Sequence, residues 1–180
     1  MGRDKALLPW RDGDLLGHAI ARLRSATADV ALLAGATARY ADRGVPVVLD
    51  RSTGDGPAAG LEAGLERAGG RPVLLLAVDL PLVPVSLLLF LGAALEGADA
   101  VVPLSPRGPE PLCAAYGPAC LAPLRARLDA GERKMTSFWP EVRVRALTPT
   151  ELRAFGDPEA LFTNVNEAED LERAGNKSAD

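Results

Sequence analysis

Apolar side chains recur at helical spacing over residues 15–26, and Asp14 stands in front of them as an N-cap, so the first helix of the chain is predicted there. The pattern then changes to short unbroken runs. Residues 30–33 and 45–49, closed by Gly35 and Asp50, read as buried strands. A second helix is expected over residues 58–68, opened by Pro57 and stopped by Gly69-Gly70. Residues 73–78 are all apolar, which marks a strand covered on both faces and central in a parallel sheet. After Pro84 the pattern predicts a helix to about Gly97, a strand over 100–104, a Pro- and Gly-rich loop through Pro111, and an extended piece over 112–116. A helix over 119–130, a strand over 142–147, a helix over 148–155 begun by Thr148 and Pro149, and a last helix over 167–174 capped by Asn166 complete the series. This alternation predicts one α/β domain over residues 1–180, with helices on both faces of a mostly parallel sheet.

Composition narrows the class of function. The chain is 48% hydrophobic and only 4% aromatic, so its core is expected to be built from Leu, Val and Ala. A net charge of −4 argues against a general nucleic-acid binder, which usually carries a basic face. Small molecules and proteins are the expected partners. Two cysteines, Cys113 and Cys120, are too few for a zinc site and are expected as reduced thiols of a cytoplasmic protein. The longest apolar stretch, residues 80–95, is interrupted by Pro81, Pro84 and Ser86 and is shorter than the ~20 residues that cross a bilayer, so no membrane partner is expected.

Candidate chemistry gathers at strand ends. Ligands of open α/β sheets bind outside the carboxyl ends of the strands, where Asp79 follows the central run. There it either holds a divalent cation or forms an Asx-turn, and Pro81 fixes the backbone that aims it. Asp50 ends the preceding strand, and Gly56-Pro57-Ala58-Ala59-Gly60 then either lets backbone approach a phosphate or flat ligand or serves as a plain turn into the helix. Lys5, after Gly2-Arg3-Asp4, is a fixed cation of the kind that meets a triphosphate, or part of a solvated terminus. Asn164 and Asn166 share one face of an extended piece, and Arg133 with Lys134 offers charge to an anionic substrate. His18, the only histidine, lies inside the first helix, which argues against a histidine-based triad. Attack by a phosphate monoester needs no base, because its second pKa is ~6.

Taken together, Gly2-Arg3-Asp4-Lys5-Ala6-Leu7-Leu8, Asp50 with Gly56-Pro57-Ala58-Ala59-Gly60-Leu61, Val78-Asp79-Leu80-Pro81, Glu110-Pro111-Leu112 and Phe162-Thr163-Asn164-Val165-Asn166 resemble the molybdenum cofactor guanylyltransferases. The resemblance runs over essentially the whole chain. It implies a Rossmann-like nucleotidyltransferase that joins GMP from GTP to the terminal phosphate of Mo-molybdopterin and releases pyrophosphate. By the same resemblance Lys5 binds the GTP phosphates, Asp79 ligates Mg²⁺ and nucleotide, and Asp50, Gly56, Pro57 and Gly60 line the nucleotide site. Glu110, Arg133, Lys134, Asn164 and Asn166 would face the pterin, and cofactor-biosynthesis proteins and molybdoenzymes are the implied protein partners. The family opens with a strand and a Leu-Ala-Gly-Gly loop ahead of Ser-x-Arg-Met-Gly, and this chain begins at the Met of that run, so a central strand and Gly-rich loop are expected upstream. Ala58 replaces the usual Leu, Glu167-Ala168 replaces Thr-Pro, and the segment near Leu33-Ala34-Gly35 lacks the family's Asn. Guanine selectivity is thus implied only by the resemblance. A related transferase using CTP or a sugar phosphate, and a catalytically defective module that binds cofactor-handling proteins, remain the alternatives.

Overall fold

Strand residues alternate between two buried faces, and that alternation sets the layers of the molecule. The computed structural model describes residues 4–51 and 56–165. After a 3₁₀ turn at Lys5–Leu7, β1 (Pro9–Trp10) and β2 (Gly13–Asp14) form a small hairpin, with Arg11 in the left-handed region at φ 50°. Helix α1 (Leu15–Ala26) follows, capped as expected by the Asp14 carboxylate, which accepts from the Gly17 amide at 2.8 Å. Then come β3 (Leu32–Leu33), β4 (Val47–Val48), α2 (Gly56–Ala68), β5 (Val73–Leu76) and α3 (Val85–Ala93). Gly69 and Gly70, at φ 58° and 90°, adopt the left-handed backbone that ends α2. The chain continues through β6 (Ala100–Ser105), β7 (Gly108–Pro109), β8 (Cys113–Tyr116), α4 (Leu121–Asp129), β9 (Val144–Leu147), α5 (Pro149–Leu152) and α6 (Pro158–Leu161).

The larger sheet has the order β5-β8-β6, with β9 parallel to β6 on its far side and β7 folding back as a hairpin. The α/β layering matches the sequence reading, but this sheet is mixed: β8 runs antiparallel to both β5 and β6. Leu76, Val101, Cys113, Ala115 and Leu147 point to one side, where they pack with Leu87, Leu88 and Leu91 of α3. Ala100, Val102, Ala114 and Tyr116 point to the other, against Leu61 and Leu65 of α2 and Leu124 and Leu128 of α4. Both cysteines are buried and form no disulfide, and burial pushes the Cys113 thiol well up and that of Cys120 to about 12. No helix among the described residues is long and apolar enough to cross a membrane. The expected helix over 167–174 and its cap Asn166 lie outside the described residues.

Strands β3 and β4 pair in parallel as a separate two-stranded sheet. Between β3 and β5 lies a cleft of about 920 Å³. Its walls are Val30 to Leu33 on one side and Val73 to Val78 on the other; Gly60 and Gly64 of α2 close one face, and Ile20 and Leu23 of α1 with Leu88 and Gly92 of α3 close the other. Protein interiors seldom hold voids much larger than a water molecule, so this opening in the middle of the layers has to be accounted for.

Candidate functional site

Asp4 builds the first corner of the site. Its carboxylate accepts from the Ala6 amide at 3.2 Å and so caps the 3₁₀ turn that presents Lys5. The Tyr40 hydroxyl donates to the same carboxylate at 2.6 Å, and Arg39 pairs with it. These partners hold the Asp4 carboxyl below its ordinary range, Tyr40 foremost. Tyr40 itself adopts a left-handed backbone at φ 61°, a sparsely used conformation for a bulky residue.

Asp79 builds the second corner. Strand β5 ends at Leu76, the Ala77 amide donates to the Leu112 carbonyl at 2.8 Å, and Asp79 comes two residues later, half-buried. Its own carbonyl accepts from the Val165 amide at 3.0 Å, which ties the C-terminal segment to this strand end. Asp4, Lys5, Ala6, Val78 and Asp79 line one small pocket of about 260 Å³. Lys5 and Asp79, 74 residues apart in sequence (79 − 5), are thereby brought together.

The nucleotide-side candidates line the neighbouring cleft. Asp50, Gly56, Pro57 and Gly60 all border it, as do Ala6, Gly35 and Val78, so the two openings adjoin at the start of the chain. Asp50 is fixed through its amide, which donates to the Gly35 carbonyl at 3.0 Å. Gly60 lies against both Leu33 and Asp50: a β-carbon on it would stand in ordinary contact, 3.5 Å from Leu33 Cβ and 3.8 Å from Asp50 Oδ1.

The pterin-side candidates divide. Glu110 is half-buried, and burial pushes its carboxyl above the ordinary value, with Ser105 and Arg107 opposing. Arg107 donates to the Phe162 carbonyl, so the Glu110 loop is tied to the segment that carries exposed Asn164 and reaches Asp79 through Val165. Arg133 and Lys134 are exposed after α4 and border neither opening; the Arg133 guanidinium donates to the Gly131 carbonyl at 2.9 Å. Asn166 lies outside the described residues. Three residues gain a place at the site that sequence reasoning does not give them: Tyr40 beside Asp4, and His18 with Arg22 against the loop after Asp79. Only the Asp79-Leu80-Pro81 motif hints at that loop, and it carries no sign of its partners on α1.

Residues 1–144 match the model of the MobA-like NTP transferase domain. A probable molybdenum cofactor guanylyltransferase of Pelotomaculum thermopropionicum is 32% identical over 174 residues, covering 97% of this chain and 85% of its own. A second, from Carboxydothermus hydrogenoformans, is 33% identical over 174 residues, covering 96% and 87%. Among solved structures, molybdopterin-guanine dinucleotide biosynthesis protein A from Archaeoglobus fulgidus superposes with a TM-score of 0.79 at 23% identity, over 99% of this chain and 92% of that one, and so shares the fold. A family match over most of the chain, joined to relatives above 30% identity along nearly all of it, makes this protein a member of the MobA-like NTP transferase domain family.

Proposed function

We propose that this protein transfers GMP from GTP to the terminal phosphate of Mo-molybdopterin, forming molybdopterin guanine dinucleotide. The observation that carries the reading is the pocket shared by Lys5 and Asp79 at the end of β5. A phosphate oxygen of the pterin attacks the α-phosphorus of GTP, a new P–O bond forms, the bond between the α-phosphorus and the bridging oxygen breaks, and pyrophosphate leaves. Lys5 offsets charge on the β- and γ-phosphates. Asp50, Gly56, Pro57 and Gly60, which border the cleft, are assigned to the nucleotide, and Glu110 and Asn164 to the pterin together with Asn166, which lies outside the described residues; Arg133 and Lys134 enter on charge alone. No base is required, which agrees with His18 being engaged in hydrogen bonds away from either opening.

The donor set suits Mg²⁺. Among the described residues no cluster of three His, Cys, Asp or Glu could cage a metal. Mg²⁺ ordinarily takes one or two carboxylates and leaves other positions to water and substrate phosphates, so Asp79 is the residue to hold it. When bound, the ion neutralises charge on the phosphates undergoing transfer. Thermal unfolding tests the nucleotide. With Mg²⁺ present, GTP raises the Tm and CTP does not, because only a ligand of the folded state stabilises it; equal shifts overturn guanine selectivity and favour the CTP-using alternative.

We infer also that residues 1–180 belong to a single nucleotidyltransferase domain whose sheet is completed by a strand and Gly-rich loop joined ahead of Met1. The support is the cleft itself. Helix α2 carries the chain from β4 across to β5, β3 pairs only with β4 among the described residues, and Ala6 borders the opening beside Val78, where a strand parallel to β5 would leave it. Such a strand would join the two sheets into one.

A further inference from the structure

The loop from Asp79 to Pro84 is held from α1 by two side chains one helical turn apart. His18 and Arg22, four residues apart, share a helix face. His18 Nε2 lies 3.1 Å from the Pro81 carbonyl oxygen, and Arg22 donates through one terminal nitrogen to the Val83 carbonyl. Arg22 Nε also donates to His18 Nε2 at 2.7 Å, so the two side chains brace each other. One ring nitrogen cannot accept from Arg22 and donate to Pro81 at once. With the proton on Nδ1 it accepts from Arg22, and with the proton on Nε2 it donates to Pro81; in either tautomer the loop stays tied, because Arg22 keeps Val83. Val165 fixes the other end through the Asp79 carbonyl at 3.0 Å.

This bracing is an unusual use of a charged residue. Arg22 is half-buried, and its hydrogen-bond partners are a carbonyl and an imidazole rather than a carboxylate. An apolar side chain of similar volume would join α1 to this loop with less desolvation. What the polar pair adds is direction, since hydrogen bonds to two carbonyls fix how the loop backbone is turned, whereas apolar packing does not. The residue whose aim depends on that turn is Asp79, two residues before Pro81. Among the described residues no cluster of three His, Cys, Asp or Glu gathers here, so the aim of Asp79 is set by its own loop.

We propose that His18 and Arg22 are positioning residues for Asp79, setting the orientation of the carboxylate that holds the divalent cation. The proposal rests on the metal role of Asp79 given above. Loss of a partner that orients a metal ligand typically weakens metal binding 10- to 100-fold. The test is Mn²⁺ affinity with GTP bound, read from the paramagnetic resonance of free Mn²⁺, in Arg22→Met, His18→Leu, His18→Gln and Asp79→Asn. Arg22→Met and His18→Leu are expected to weaken Mn²⁺ about 10- to 100-fold while metal-free GTP affinity stays within twofold. His18→Gln is expected to restore most of the loss, because its amide supplies both a donor and an acceptor. Exchange of the Val83 and Leu80 amides should quicken in Arg22→Met, with α1 amides unchanged. If Arg22→Met does not fold, Arg22→Lys, which keeps the charge but loses the forked donor, makes the same comparison. Parental Mn²⁺ affinity in the Arg22 and His18 variants, with Asp79→Asn defective, overturns the positioning role and leaves the metal role standing. Parental affinity in Asp79→Asn removes the metal role and the proposal together.

Discussion

Gly64→Leu is expected to stabilise the chain that starts at Met1 and to lose that effect once a strand enters the cleft. Gly64 sits inside α2, and a β-carbon there would meet Leu33 Cδ1 and Cδ2 at 3.5 Å and Val73 Cγ1 at 3.9 Å, ordinary contacts on both walls of the cleft. In the chain from Met1, replacing a helical Gly contributes ~0.8–1 kcal/mol of propensity. Half-burying a Leu side chain adds ~1 kcal/mol, for a total of about 2. At ~2–4 °C per kcal/mol for a protein of this size, Tm rises by roughly 4–8 °C. In a chain lengthened by ~8–12 residues able to form the proposed strand and loop, the same side chain would meet an occupied space. Overpacking of that kind costs ~1–3 kcal/mol against the same propensity gain, so Tm is unchanged or falls by up to ~8 °C. Scanning calorimetry of the four proteins makes the comparison. The lengthened parent should also be more soluble, since two open strand edges have been paired. Equal rises in the short and long chains would refute the reasoning, and the cleft would then be a pocket that some other element fills.

Asp79→Asn is expected to abolish nucleotidyl transfer with Tm within 2–3 °C of the parent, a shift of about 1 kcal/mol; turnover within threefold of the parent in the lengthened chain would remove the metal assignment. Lys5→Ala should be milder, lowering the rate ~10²- to 10³-fold and weakening GTP while leaving pterin affinity unchanged, as isothermal titration with each ligand will read. Asp29 bonds Arg67 at 2.9 and 3.1 Å and Arg71 at 3.0 Å, and these guanidinium groups, Arg67 first, hold its carboxyl at about 2. Because its folded-state value lies below the ordinary one, its contribution is present above pH ~4 and fades as pH falls toward about 2. The Tm of Asp29→Asn should therefore lie below the parent's at pH 6 and converge with it near pH 2.

Local signals were legible and pairing signals were not. Helix α1 follows from its apolar spacing and from Asp14, both of which act within one turn, and the structure returns the expected span, Leu15–Ala26. The α5 start is equally local: Thr148 accepts from the Glu151 amide while the Glu151 carboxylate takes the Thr148 amide. The direction of β8 is different, because Cys113-Ala114-Ala115-Tyr116 packs both faces whichever way it runs, and only its partners decide. The β1–β2 hairpin depends on two residues in each strand, too few to form a pattern. Lys5 and Asp79 could be named as candidates because each sits at a strand or loop end where ligands of α/β sheets gather, and the structure brings the two into one pocket. The reach of His18 and Arg22 to carbonyls more than 60 residues away is a tertiary fact, and no spacing in the sequence encodes it.

The two buried cysteines give this protein an internal clock. Alkylating reagents react with the thiolate, and in the folded chain Cys120 is pushed up to about 12 and Cys113 higher still, both shielded from solvent. Labelling at pH 8 therefore waits for the sheet to open. Cys113 pairs with Leu76 across β5 and β8, whereas Cys120 lies at the end of a 3₁₀ turn leading into α4. Their rates, resolved by mass spectrometry of the two peptides, time the separation of β5 from β8 independently of the loosening of α4. A bound nucleotide that slows Cys113 more than Cys120 would show that occupancy at the end of β5 is felt along the strand.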